Sequence, residues 1–173
     1  MTTAYYSSTK TPDGPFTVIV ANRKVLASGW TDDHTALQEQ IHKQLRPKHL
    51  VHSDIVTASV LGAVEQYYAG NFEVIEQVPV QQQSGDFLEA AWDALRTVPA
   101  GTTISYSELA ERAGSPDAVQ PAASACEHNA TLLFIPCHRA VKSSGETGAF
   151  RYGTDLKERL LDRETKAKVS ANA

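Results

Sequence analysis

Residues favouring extended backbone fill two short runs near the start of the chain, residues 4–9 and residues 15–21 (Pro-Phe-Thr-Val-Ile-Val-Ala). Thr11-Pro-Asp-Gly14 lies between them and supplies turn chemistry, with φ preset at proline and left free at glycine, so a hairpin is predicted. Val25 to Trp30 predicts a third strand. Asp32 or Asp33 then caps a helix through about Leu45, stopped at Arg46-Pro-Lys. Apolar residues recur at helical spacing from Val56 to Tyr68 and end at Gly70, and Asn71 to Pro79 reads as one more extended segment. The polar stretch Gln81-Gln-Gln-Ser-Gly85 marks a boundary between residues 1–83 and residues 84–173.

Beyond it the periodicity becomes helical. Phe87, Leu88, Ala91, Trp92 and Leu95 share one face of a helix from about Asp86 to Thr97, stopped by Pro99-Ala-Gly101. Ser105-Tyr-Ser-Glu108 has capping-box spacing and starts a helix that ends at Gly114. Ala118 to His128 reads as a second short helix, with Pro121 tolerated in its first turn. Helix, glycine turn and helix together give the outline of a helix-turn-helix. The apolar run Leu132-Leu-Phe-Ile135 is too short to span a membrane and predicts a buried segment leading into Pro136-Cys-His-Arg139. Ser143 to Gly148 forms a glycine-bearing loop. Thr154 caps a last helix that turns Leu156, Leu160 and Leu161 inward and carries Glu164 near its end, before a polar, frayed tail from Thr165 to Ala173.

Composition adds exclusions. The chain has 173 residues, 42% hydrophobic and 21% charged, with a formal net charge of −4. Residues 1–85 carry 6 Lys+Arg against 8 Asp+Glu, and residues 86–173 carry 10 against 12. Neither half is a basic module of the kind that binds phosphate backbones nonspecifically. Two cysteines, Cys126 and Cys137, make no disulfide framework, and the start shows no signal core, which predicts a reduced, cytoplasmic protein. With no CxxC pair, no cysteine-built zinc site is expected. His34, His42, His49 and His52 share no ligand spacing and read as surface residues.

Candidate chemistry centres on Cys137. A cysteine after an apolar run reads first as a small buried hydrophobe. Pro136 before it suits the first position of a helical turn, and a cysteine in that turn lies near backbone N–H groups that favour thiolate. His138 beside it weakens that reading without removing it.

These residues carry a resemblance. Ile135-Pro-Cys-His-Arg-Ala-Val141, preceded by Asn129 and followed by a glycine loop and a helix ending in Glu164, resembles the active-site signature of the O6-alkylguanine-DNA alkyltransferases. The resemblance extends from Phe87 to Glu164, through Trp92-Asp-Ala-Leu-Arg96, Pro99-Ala-Gly101 and Ser105-Tyr106; before that it rests on the opening hairpin and Tyr67-Tyr-Ala-Gly70. It implies an α/β (α+β) chain, with a ribonuclease-H-like domain over residues 1–83 and a mainly helical domain with a helix-turn-helix over 84–173. It also implies direct DNA repair by a methylated-DNA–protein-cysteine methyltransferase. An alkyl group on guanine O6, with thymine O4 as a further candidate, passes irreversibly to Cys137 without cofactor or metal, and each molecule reacts once.

By position, His138 takes the Cys137 proton through a water, Glu164 orients the imidazole, and Tyr106 donates to guanine N3 and helps rotate the nucleotide out of the duplex. Asn129 matches the family's hinge asparagine between recognition helix and active-site strand. Backbone groups of Val141 and Arg151 contact the flipped base, and Phe150 replaces a tyrosine of its wall. The implied partner is double-stranded DNA containing O6-alkylguanine, bound by a monomer with no membrane attachment. One position departs from the pattern: Gln120 stands where the family has an arginine that fills the gap in the base stack, and the helix it begins has no Lys or Arg. Two other readings therefore stay open, a noncatalytic alkyltransferase-like lesion binder and a regulatory helix-turn-helix protein.

Overall fold

The structure, a computed structural model, describes the backbone of residues 3–172 and the side chains of residues 3–167; Ala173, the end of the predicted frayed tail, lies outside the described residues. The chain forms two compact units, residues 1–83 with 130–134, and residues 84–129 with 135–173.

In the first unit, β1 (Thr3–Thr11) and β2 (Gly14–Ala21) form the expected hairpin, in register from Thr11 opposite Gly14 to Tyr5 opposite Val20. Thr11 Oγ1 accepts from Asp13 N at 3.1 Å and donates to the Gly14 carbonyl at 2.7 Å, closing the turn with side-chain as well as backbone bonds. β3 (Lys24–Gly29) returns antiparallel to β2. Its turn, Asn22-Arg23, has φ of 52° and 65°, the left-handed pair that matches strand twist in two-residue hairpins. β4 (His49–His52) pairs parallel to β1, giving the order β3-β2-β1-β4. This strand is short and largely exposed, so no apolar pattern announced it.

Helix α1 (His34–Gln38) is capped by Asp33, whose carboxylate accepts from Thr35 N and Ala36 N. The predicted extension to Leu45 does not form. Gln40 N and Ile41 N instead bond the Leu37 and Gln38 carbonyls at 3.1 Å, a tighter i→i+3 pattern. Leu37 and Ile41 thereby join Ala4, Ile19, Leu26 and Ala27 in the core. Helix α2 (Asp54–Tyr68), capped by Ser53, buries Val60, Leu61, Val64 and Tyr67. Residues Phe72–Gln77 form a 3₁₀ helix where an extended segment was predicted; the threefold period puts Phe72 and Ile75 on one side, and both are buried. Residues 130–134 belong to this unit because Ser28 takes up their backbone: Ser28 N donates to the Ala130 carbonyl and Ser28 Oγ to the Leu132 carbonyl.

The second unit is built on helices. Trp92 of α3 (Asp86–Leu95) donates its indole N–H to the Ala125 carbonyl at 2.9 Å, satisfying a buried donor against α5 (Val119–Glu127). α4 (Tyr106–Arg112) starts at Ser105, whose hydroxyl accepts from Glu108 N. It ends in a Schellman pair, Ser115 N to the Ala110 carbonyl and Gly114 N to that of Glu111, with Gly114 at φ 99°. Two short strands, β5 (Ile104–Ser105) and β6 (Ala140–Val141), pair in parallel. They hold the start of α4 next to the residues after Cys137. α6 (Thr154–Asn172) continues through most of the tail that was expected to fray. Thr154 is its first residue rather than its cap, Leu156 and Leu160 are buried, and Leu161 is half-buried.

Candidate active site

Cys137 is positioned by two tight turns. Pro136 sits at φ −81°, ψ 65°, the inverse γ-turn conformation that the pyrrolidine ring favours, and Cys137 N bonds the Ile135 carbonyl across it at 2.8 Å. Cys137–Arg139 then forms a single 3₁₀ turn, with Arg139 N on the Pro136 carbonyl. Pro136 is therefore outside the turn rather than its first residue. One turn of three residues carries little dipole, so the thiolate preference expected from a helix N-terminus falls instead to side chains.

Those side chains come from α5, from just beyond its end and from α6. Asn129, fully buried just beyond α5, donates one amide hydrogen to the Ile135 carbonyl at 2.9 Å and also hydrogen-bonds the Cys137 sulfur. Cys126, in the last turn of α5, presents its thiol to the same sulfur. Lys157 of α6 is 1% exposed and directs Nζ at the Tyr106 hydroxyl and the Ala149 carbonyl, each at 3.4 Å, with its charge felt at Cys137.

The Cys126 hydrogen bond, against the cost of burial and with help from Asn129, Lys157 and Arg151, holds the Cys137 thiol below its ordinary range. Cys126 moves well up, through that same hydrogen bond, burial and the neighbouring negative charge. Burial and the charges of Cys126, Cys137 and Glu127 raise Tyr106, so its hydroxyl stays a donor.

His138 is wholly buried, and its Nε2 lies 2.7 Å from Glu164 Oε2. Burial pushes the imidazole below its usual range, although Glu164 pulls the other way. Burial alone would raise Glu164 too, but His138 and Arg139 outweigh it and carry the carboxyl well below its ordinary range. A carboxylate only accepts, so the neutral imidazole carries its hydrogen on Nε2 and leaves Nδ1 as a lone pair. Nδ1 is buried and has no hydrogen-bond partner among the described residues. The ring is thus set up as a base at Nδ1, with Glu164 stabilising the cation that protonation would form.

Arg139 completes this pair. Its Nε donates to Glu164 Oε1 at 2.9 Å and an Nη to Oε2 at 3.2 Å, while the other Nη bonds the Val98 carbonyl at 2.7 Å. The bidentate fork fixes the carboxylate plane and so the imidazole.

Of the residues singled out in the sequence, Cys137, His138, Glu164, Tyr106 and Asn129 come together. Arg151 joins through its side chain, donating to the Asn129 carbonyl at 2.8 Å and to the Glu127 carbonyl, which ties down the end of α5. Val141 pairs with Ser105 in the short sheet, and Phe150 is a half-buried neighbour of Arg151. Gln120 is exposed in the first turn of α5, at the opposite end from Cys126. Three members of the site were not anticipated: Arg139, Cys126 and Lys157. Lys157 had a readable signal, since 157, 160 and 164 share one helical face with Glu164. Cys126 had none, because its distance from Cys137 is set by tertiary folding. Among the described residues, no group of three or more His, Cys, Asp or Glu side chains could hold a metal ion.

A buried cysteine, next to a histidine oriented by a buried carboxylate, makes up the candidate site of a mixed α/β protein. Residues 86–166 match the family described as 6-O-methylguanine DNA methyltransferase, DNA binding domain. The chain itself extends well beyond that match on its N-terminal side. It is 42% identical over 87 residues to the bifunctional transcriptional activator/DNA repair enzyme Ada of Escherichia coli, covering 50% of this chain and 25% of the relative. It is 37% identical over 106 residues to the methylated-DNA–protein-cysteine methyltransferase of Mycolicibacterium paratuberculosis, covering 60% of this chain and 64% of the relative. The chain thus spans less than two thirds of the length of these relatives. Among solved structures it resembles Mycobacterium tuberculosis OGT in complex with DNA, with TM-score 0.80 and 25% identity over 94% of each chain. No helix among the described residues is long and apolar enough to cross a membrane.

Proposed function

We propose that this protein repairs DNA directly by moving an alkyl group from guanine O6, or from thymine O4, to its own Cys137. The observation that carries the reading is the arrangement of Cys137 among three donors, beside His138 with its Nδ1 lone pair and its Nε2 held by Glu164. His138 takes the Cys137 proton through a water, and a thiolate lone pair forms the S–C bond as the C–O6 bond breaks. The electrons leave with guanine, which is reprotonated. Tyr106, kept protonated, donates to the departing base and lowers its charge. A thioether is a poor leaving group, so each molecule acts once.

In this reading the first unit is a ribonuclease-H-like scaffold and residues 84–173 form the DNA-binding and alkyl-acceptor domain, with α4 and α5 as a helix-turn-helix. The protein acts as a cytoplasmic monomer on double-stranded DNA, flipping the lesion toward Cys137. Gln120 fills the vacated stack, Asn129 serves as the hinge, and Val141, Phe150 and Arg151 line the base pocket. Methyl transfer is read by intact mass after incubation with an O6-methylguanine oligonucleotide. The expected result is one added methyl, absent in Cys137→Ala. Selective lesion binding without an adduct would make the protein a lesion binder instead.

That second reading has one specific observation behind it. Gln120 is exposed at the head of a helix without basic residues, which weakens base extrusion and phosphate contact together. The free base O6-benzylguanine separates impaired DNA delivery from absent chemistry, because it reaches Cys137 without DNA.

A further inference from the structure

Helix α5 carries no basic residue in its last turn, and the final carbonyls of a helix have no next turn to accept from. The missing cation comes from a distant loop. Gly153 N donates to the Phe150 carbonyl at 3.0 Å, closing a four-residue turn in which the glycine takes a left-handed φ of 102° and Arg151 stands second. From this turn the Arg151 guanidinium reaches α5, donating from one Nη to the Glu127 carbonyl and from the other to the Asn129 carbonyl at 2.8 Å. A guanidinium there occupies orphaned carbonyls and complements the helix dipole. Asn129 passes the anchoring on. Its fully buried side chain donates to the Ile135 carbonyl at 2.9 Å, and the Cys137 N–H donates to the same oxygen at 2.8 Å.

We propose that Arg151 is a positioning residue for alkyl transfer: its side chain holds Asn129, and Asn129 sets the Ile135–Cys137 turn that aims the sulfur. This rests on Cys137 being the alkyl acceptor. Three bonds in series connect an exposed arginine to the backbone of the nucleophile: guanidinium to Asn129 carbonyl, Asn129 amide to Ile135 carbonyl, and that carbonyl to Cys137 N–H. Peptide groups are planar, so holding the Asn129 carbonyl on one side while α5 holds the other fixes the frame from which the Asn129 amide points. Without the guanidinium that frame turns about ψ, the Ile135 carbonyl loses its fixed donor, and the sulfur samples directions off the line of the breaking C–O6 bond. The side chain acts here through Asn129, apart from any contact of the Arg151 backbone with the base.

The test is single-turnover methyl transfer from an O6-methylguanine duplex oligonucleotide to the full chain in excess, giving a maximal rate constant and a half-saturating concentration across pH. Arg151→Met keeps the aliphatic stem and removes the donors. It is expected to lower the maximal rate about tenfold at every pH, with the half-saturating concentration changed less than about threefold. Arg151→Lys keeps the charge but can reach only one of the two carbonyls, so it is expected to recover about half of that loss on a logarithmic scale. Arg151 is exposed, so the core does not depend on it; should Arg151→Met fail to fold, Arg151→Gln, too short to span both carbonyls, is read the same way. A raised half-saturating concentration with an unchanged maximal rate would make Arg151 a phosphate contact instead. A shifted pH midpoint fully restored by Arg151→Lys would make it a source of charge alone. Either result overturns the proposal, as does a maximal rate equal to the parent's. A parent protein that transfers no methyl sinks the repair reading and this role with it, whereas transfer that ignores Arg151 sinks this role alone.

Discussion

Glu164→Gln tests the buried charge cluster with almost no change of shape. Glu164 and Arg139 are 0% exposed at their side chains, and the carboxylate accepts from Arg139 Nε at 2.9 Å, Arg139 Nη at 3.2 Å and His138 Nε2 at 2.7 Å. An amide keeps one acceptor, so it can satisfy one side of this arrangement and must point N–H hydrogens at donors on the other. The guanidinium keeps its charge in a dry interior with only neutral partners left at this end. Removing one member of a buried ion pair costs about 3–5 kcal/mol, and no cavity forms here to add to it. That loss should appear in urea unfolding followed by tryptophan fluorescence, because Trp92 lies in the same unit. Replacing both partners, Glu164→Gln with Arg139→Met, removes the orphaned charge and should recover a sizeable part of the loss. A single variant within about 1 kcal/mol of the parent, or a double variant no better than the single, would refute the reasoning that uncompensated charge dominates. The His138 tautomer gives an independent readout: with an N–H facing Nε2, the ring's hydrogen is driven to Nδ1, and benzylguanine transfer should slow more than tenfold even where the protein is folded.

Three further outcomes follow from the geometry. Glu164 is depressed below its unfolded value of about 4.3, so its contribution is present above that pH and lost as pH falls through the folded value; acid unfolding curves should show this below about pH 4 and lack it in Glu164→Gln. Gly148→Ala places a Cβ 3.0 Å from the Tyr106 hydroxyl on a backbone at φ 82°, which should cost about 1–2 kcal/mol in chemical denaturation and displace Tyr106, slowing transfer. Trp92→Phe keeps most of the ring but leaves the Ala125 carbonyl without its indole donor, a loss of about 1–3 kcal/mol by the same method; an unchanged midpoint would show that another donor replaces it.

The sequence determined most of what is local. Turn chemistry at Thr11 to Gly14, the caps at Asp33 and Ser105, and the helical period of α2, α3 and α6 all act through neighbours a few residues apart. The Cys137-His138 pair and the chemistry it suggests were also legible, because adjacent residues need no fold to bring them together. Where local signals gave the wrong form, the core had overridden them. The helix expected to reach Leu45 tightens after Gln38 so that Leu37 and Ile41 both reach the core, and the segment read as extended winds into 3₁₀ so that Phe72 and Ile75 do.

Only the tertiary structure decided which distant groups meet Cys137. Proline set a γ-turn and a single 3₁₀ turn rather than a helix, so backbone dipoles could not supply the bias toward thiolate. Cys126 from α5 and Lys157 from α6 supply it instead, and Arg139 fixes the carboxylate that fixes His138. No short-range pattern encodes those meetings, because they depend on how α5 and α6 pack in the second unit. Their electrostatic weight comes from burial, which only the packed interior provides.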